Sequence, residues 1–206
     1  MLSRLQRGLE ELYRLDAGAC VDDFVIDASI RDRVAGARRP REQLLVCEDE
    51  GEMSLALFVD PAALANLAAN DPSHVLDDGN FGDFLLAVEG VSHFVYTLAC
   101  ARVDRAVSQL ELELQAEVDK YVTCLLVGAP SRVLRHRLFA DAIYEPDLDD
   151  DERERYRAAN DNAHRYAAWL EATYVEPGKI PDMLGELRRF YRDSLAAKLG
   201  RIARAA

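Results

Sequence analysis

Apolar positions recur every three or four residues along most of the chain, a rhythm that predicts a mainly helical fold. Leu2, Leu5, Leu9, Leu12 and Tyr13 form one stripe, so a first helix is expected over about residues 2–14, with Gly18 ending or following it. Between 23 and 59 the pattern changes to short runs of β-favouring residues: Phe24-Val25-Ile26, Leu44 to Cys47, and Met53 to Val59. Glu50-Gly51 lies midway between the last two, which predicts an antiparallel hairpin with a candidate third strand. The ARRPRE stretch at 37–42 reads as an exposed loop, because proline and clustered arginine suit neither a core strand nor a helix interior.

From Asp60 onward the sequence reads as helices with recognisable ends. Asp60-Pro61 supplies a side-chain cap followed by proline at the first helical position, opening a short helix to about Ala69. Asn80 with Asp83 three residues on predicts the cap of a helix over 81–102. Ser108 with Glu111 predicts a capping box for a helix over 109–127, stopped by Gly128 and Pro130. Three more helices are expected over about 132–143, 151–174 and 182–203. The last two carry apolar stripes and are joined by a connector short enough to make them antiparallel neighbours. The fold class expected is therefore α+β and predominantly helical. It has about seven helices packed around the buried helix at 81–102, with a small antiparallel hairpin or three-stranded sheet near the N-terminus. A single domain over 1–206 is expected, the N-terminal helix and small sheet occupying 1–59 and the helical array 60–206.

Composition narrows the functional classes. The 206 residues are half hydrophobic, enough for a substantial core. A formal charge of −12 argues against coating nucleic acid or anionic membranes and for a soluble, cytoplasmic protein. Cys20, Cys47, Cys100 and Cys124 form no Cys-x-x-Cys pair, lie inside apolar stretches and read as reduced core thiols, and the N-terminal helix lacks the apolar core of a secretory signal. Only three lysines accompany many arginines, a bias that suggests a GC-rich bacterial genome.

The chemistry that stands out is in the run FLLAVEGVSHFVYTLACA, 84–101, apolar around nearly its whole circumference yet carrying Glu89 and His93 one helical turn apart, with Tyr96 extending that face. Glu, Ser and His inside the run argue for a buried helix rather than a membrane span. Carried into a core, this pair must find partners. It could bind a metal or act in acid–base chemistry with Glu113 and Glu117 of the following helix, Lys120 serving as counter-ion. The Glu-x-x-x-His spacing matches neither the di-iron Glu-x-x-His nor the zinc-protease His-Glu-x-x-His pattern, and the plainer expectation is a structural pair whose members bond each other.

Residues 178–206 carry a net charge of +4 against −16 for the rest, which marks Arg188, Arg189 and Arg192 as a candidate nucleic-acid or phosphate surface. The alternative is intramolecular pairing and complementation of helix dipoles. The acidic connector 145–152 has no glycine for a calcium loop and reads as a helix cap. His136 and His164 fall in no recognisable motif, and glycine-rich phosphate loops, serine nucleophile elbows and paired metal-ligand cysteines are missing. The sequence therefore favours a non-enzymatic protein-interaction or regulatory role with another protein as partner. No cofactor or membrane is expected, and nucleic acid is disfavoured. Metal or acid–base chemistry at Glu89 and His93 is the alternative.

Overall fold

The computed structural model describes residues 1–34, 39–140 and 148–205. Its class is as expected: nine α-helices and a two-stranded antiparallel sheet among the described residues. The helices are α1 (Leu2–Tyr13), α2 (Ala28–Val34), α3 (Pro61–Ala69), α4 (Phe81–Ala101), α5 (Gln109–Leu126), α6 (Ser131–Arg135), α7 (Asp150–Leu170), α8 (Ile180–Arg192) and α9 (Leu195–Ala205); the strands are β1 (Glu42–Asp49) and β2 (Glu52–Val59).

The hairpin forms where the alternating runs predict it. Glu50 (φ 48°) and Gly51 (φ 84°) both take left-handed backbone, as a tight two-residue turn that matches strand twist requires, and Asp49 faces Glu52 across it. The candidate third strand is reduced to one parallel bridge, Val25 to Leu57, with Ile26 N–H donating to the Leu57 carbonyl at 2.9 Å. A single turn of 3-10 helix at Val21–Phe24 and the short α2 surround that bridge, so the chain there has too few extended residues for a strand.

α4 is the centre. It is long and apolar enough to cross a membrane, and most of it is buried within the fold. α1, α3, α5, β1 and β2 all pack against it. Buried side chains from α1 to α9 join in one contiguous apolar cluster, in which Tyr13 stacks on Tyr191 (centroids 3.9 Å apart) and Tyr166 on Phe190 (4.1 Å). Contacts between Tyr96 and Glu111, Ser92 and Asp119, and Glu89 and Lys120 run in opposite chain directions, so α5 lies antiparallel to α4.

Helix ends follow local chemistry with two exceptions. Asp60 accepts from the Ala62 N–H (2.9 Å) and Ser108 from the Glu111 N–H (3.2 Å). Asn80, by contrast, caps nothing: its amide oxygen accepts from the Asp77 N–H and its NH2 donates to the carbonyls of Asn70 and Val75, tying down the loop before α4. The helix expected over 182–203 breaks into α8 and α9. Asp193 is extended and its carboxylate accepts twice from Arg201 (2.9 and 2.8 Å), while the Ser194 hydroxyl accepts from the Ala197 N–H (3.4 Å) and starts a new helix. α9 then turns back onto α7. The helix expected over 132–143 is α6 followed by a π-helical turn at His136–Ala140, its last residues falling outside the described ones. In the acidic connector, Asp149 and Glu152 form a reciprocal capping box for α7; residues 145–147 lie outside the described ones.

Candidate functional site

Three elements bring charged side chains to one place beside α4. Glu89 and His93 come from α4; Glu113, Glu117 and Lys120 come from the facing side of α5; Glu42 comes from the first residue of β1. β1 is anchored there by Arg41, whose guanidinium bonds Asp60 at the α3 cap and Asp83 in the first turn of α4, both at 2.8 Å. Gly90 allows the approach: a Cβ at this position would lie 3.1 Å from Glu42 Cγ and Oε1 and from Leu57 Cδ1.

Glu89 and His93 do not bond each other. Lys120 Nζ sits between Glu89 Oε2 and Glu117 Oε1 at 2.8 Å from each. His93 lies between two other carboxylates, Nδ1 3.7 Å from Glu42 Oε1 and Nε2 3.6 Å from Glu113 Oε2. These distances are ion-pair contacts too long for hydrogen bonds. His93 is only 7% exposed, and neither its Nε2 nor Glu42 Oε1 makes a hydrogen bond among the described residues. Ligand atoms of Glu89, His93 and Glu113 all lie within 4.8 Å of one another.

The electrostatics follow from the count of charges. Four carboxylates face one lysine and one imidazole, so with all four ionised two negative charges are uncompensated even when His93 is protonated. Burial by itself would lower the His93 pKa, but Glu113 and Glu42 on either side outweigh it and hold the imidazole well above its ordinary value. Burial pushes the Glu42 and Glu117 carboxyls up. Burial works the same way on Glu89, where Lys120 and His93 outweigh it and hold the carboxyl down. Tyr156 of α7 borders the cluster: burial first, then the charges of Glu113, Glu89 and Glu42, push its phenol well above the usual range.

Tyr96 belongs to a second buried network. Its hydroxyl donates to Glu111 Oε1 (2.6 Å) and accepts from Arg105 (2.8 Å) and from Lys198 Nζ (2.8 Å). Lys198 is fully buried and also donates to Gln115 Oε1 (2.7 Å); Gln115 in turn donates to Asp119, which accepts from Ser92 (2.5 Å) and Tyr13. Burial draws the Lys198 amine down to about 7 and pushes Asp119 up to about 6. Leu195, Leu199 and Ile202 flank Lys198 on the same helix, but with α9 turned back onto α7 its amine faces Tyr96 and Gln115 of α4 and α5.

The C-terminal arginines are spent within the fold. Arg188 Nε donates to the Leu12 carbonyl (2.8 Å), Arg192 donates to Tyr13 (2.9 Å) and Arg14 (3.3 Å), and Arg189 pairs with Glu186 (2.9 Å). Two of the three therefore cap the C-terminus of α1, where the helix dipole favours cations. His164 stacks on Phe139 with centroids 5.4 Å apart. No family model matches the chain, and no curated protein or solved structure matches it significantly.

Proposed function

We propose that this protein binds a divalent cation through His93 Nε2 and the carboxylates of Glu89 and Glu113, with Glu42 and Glu117 at the margins. The observation that carries the reading is the pair of buried, unbonded atoms, His93 Nε2 and Glu42 Oε1, inside a cluster that is short of two positive charges. Buried polar groups in folded proteins nearly always have a partner, and a cation that displaces the imidazole proton would take the orphaned nitrogen as a ligand and offset the charge. One imidazole with several carboxylates suits zinc, manganese or iron(II) better than calcium or magnesium. Ligands around such an ion stand about 3 Å apart, so side-chain torsions must draw the cluster in by roughly an ångström. The ion would serve a structural or regulatory role or polarise a bound water, as the wider choice between regulator and enzyme requires.

Elemental analysis after purification without chelators should find close to one transition metal per chain, and His93→Ala should abolish it while leaving a folded helical spectrum. Metal-free protein that gains no thermal stability from added zinc, manganese or iron(II) overturns the reading.

The protein-interaction reading has its own support in the hairpin. The outer edge of β1 has no strand partner among the described residues, and Val46 and Met53 are exposed near its tip. Such an edge can accept a strand from another protein. Val46→Lys should then weaken capture of that partner at least fivefold in paired pull-downs, on the order of the cost of one edge contact; equal capture by both forms removes this reading.

A further inference from the structure

A cavity of about 380 Å³ opens where the end of α4 meets α1 and α8. That volume is in the range of small-molecule sites. Its walls combine two aromatic rings, Tyr96 and Tyr191, with three guanidiniums, Arg102, Arg105 and Arg192, and one carboxylate, Asp16. On a chain of net charge −12 this is a local excess of positive charge.

The three arginines are not equivalent. Arg105 is compensated by Glu111 at 2.6 Å, and Arg192 is committed to the carbonyls at the end of α1. The Arg102 guanidinium makes no hydrogen bond or ion pair among the described residues, its backbone N–H alone being bonded, to the Leu98 carbonyl. It lies over Gly18, whose left-handed backbone (φ 79°) and missing side chain give it room: a Cβ there would stand 2.3 Å from Arg102 Nη1. Asp16 is partly engaged by the Gly18 N–H, at 2.7 Å. Tyr191 borders the cavity but is only 4% exposed, and its hydroxyl is sealed in the core, so it offers a ligand no polar contact.

The aromatic walls are held from behind. Tyr191 stacks on Tyr13 and meets Tyr96 edge-on at 4.8 Å, while the Tyr96 hydroxyl is fixed by Glu111, Arg105 and Lys198. An unpaired guanidinium beside an apolar lining held rigid from behind suits a ligand with a flat apolar body and an anionic group.

We infer that this cavity is a binding site for a small organic anion, an aromatic carboxylate or phosphate monoester, with Arg102 pairing its charge and the lining of Leu15, Ala99 and Val103, backed by the Tyr96 and Tyr191 rings, taking its apolar body. The site is separate from the Glu89–His93 cluster and stands or falls without it.

The test is an amide NMR titration of the full chain with benzoate, phenyl phosphate, inorganic phosphate and benzyl alcohol. Benzoate or phenyl phosphate should give saturable shifts centred on Leu15, Asp16, Arg102 and Val103, with dissociation constants of about 1 mM or tighter, the range open to a fragment of this size. Arg102→Ala should weaken binding about tenfold, as expected for loss of a charge-assisted contact. Arg102 is exposed, so its replacement leaves folding intact. No saturable shift from either aromatic anion up to about 10 mM, a concentration that would reveal even weak fragment binding, overturns the proposal. So does equal affinity in Arg102→Ala. Binding of benzyl alcohol as tight as benzoate would show an apolar pocket with no anion selectivity, and inorganic phosphate as tight as phenyl phosphate would show that the apolar lining does nothing; either result ends it.

Discussion

Replacing Lys120 by methionine should cost about 3–5 kcal/mol of folding free energy at neutral pH, the loss expected when one member of a buried ion pair is removed and its partners are left charged. Lys120 holds two carboxylates at 2.8 Å, and all three side chains are at most one-fifth exposed, so water cannot replace the lost cation well. His93 cannot take over, because Glu42 and Glu113 already share it. Urea unfolding followed by circular dichroism measures the effect as a lower midpoint at unchanged slope. Adding Glu89→Gln and Glu117→Gln to the lysine variant removes the stranded charges and should restore most of the stability, since a neutral set of similar volume avoids the desolvation cost. A single variant within about 1 kcal/mol of wild type, the range of exposed ion pairs, would mean that water reaches Glu89 and Glu117 freely. The same variant bears on the metal proposal. With Lys120 gone the cluster is more negative, and a divalent cation should recover stability that sodium at equal ionic strength does not.

The parts of the fold that were legible in the sequence are those whose signals are local. The Asp60-Pro61 cap, the Ser108 cap, the Glu50-Gly51 turn and the stop at Gly128 depend on a few neighbouring residues, and all four lie where the residue types placed them. The centrality of α4 was legible because apolar residues all round a helix leave only burial or lipid as environments. Glu89, His93, Glu113 and Lys120 were visible as one neighbourhood because α4 and α5 are consecutive helices joined by a short loop. Glu42 was not: its place beside His93 depends on strand register, on Arg41 reaching Asp60 and Asp83, and on Gly90 leaving space, none of which local pattern encodes.

The break between α8 and α9 shows the opposite failure. The apolar stripe continues across it in sequence, so periodicity favours one helix. What ends α8 is polar: Asp193 turns its carboxylate to Arg201 eight residues on, and Ser194 caps the next helix. Aspartate followed by serine after a helical run is a signal that could have been read as a new N-terminus. That one break decides where Lys198 goes. The cationic C-terminus offered either an anion-binding surface or, as the plainer reading, pairing within the chain, and Arg188 and Arg192 donate to carbonyls at the end of α1, a concentration of negative dipole.

Lys198→Met should erase a pH dependence of stability that the natural protein shows above neutrality. The amine is buried among Tyr96, Cys100, Gln115, Asp119, Glu111 and Arg105, with the rings of Tyr96 and Phe190 4.3 and 5.0 Å away. Burial draws its pKa down to about 7, against 10.5 for a free lysine. Between those values the unfolded chain binds one more proton than the folded one, so raising the pH favours folding. The contribution is fully present above the unfolded pKa and is lost as pH falls through the folded one. One proton corresponds to about 1.4 kcal/mol per pH unit, so wild type should gain about 3 kcal/mol relative to Lys198→Met between about pH 7 and 9.5. Tyr96 and Cys100 are pushed upward by burial, so their own ionisation falls late in this interval or beyond it. Asp119, at about 6, is already ionised there. Its own effect lies lower: a carboxyl raised in the folded state stabilises below its unfolded pKa of about 3.8, and that support is lost as pH rises through about 6. Urea midpoints of the two proteins across the alkaline range therefore isolate the amine. Parallel curves would show that Lys198 stays charged in the interior, held by the two ring faces and Asp119, and that its two hydrogen bonds to Tyr96 and Gln115 are those of an ammonium rather than a neutral amine.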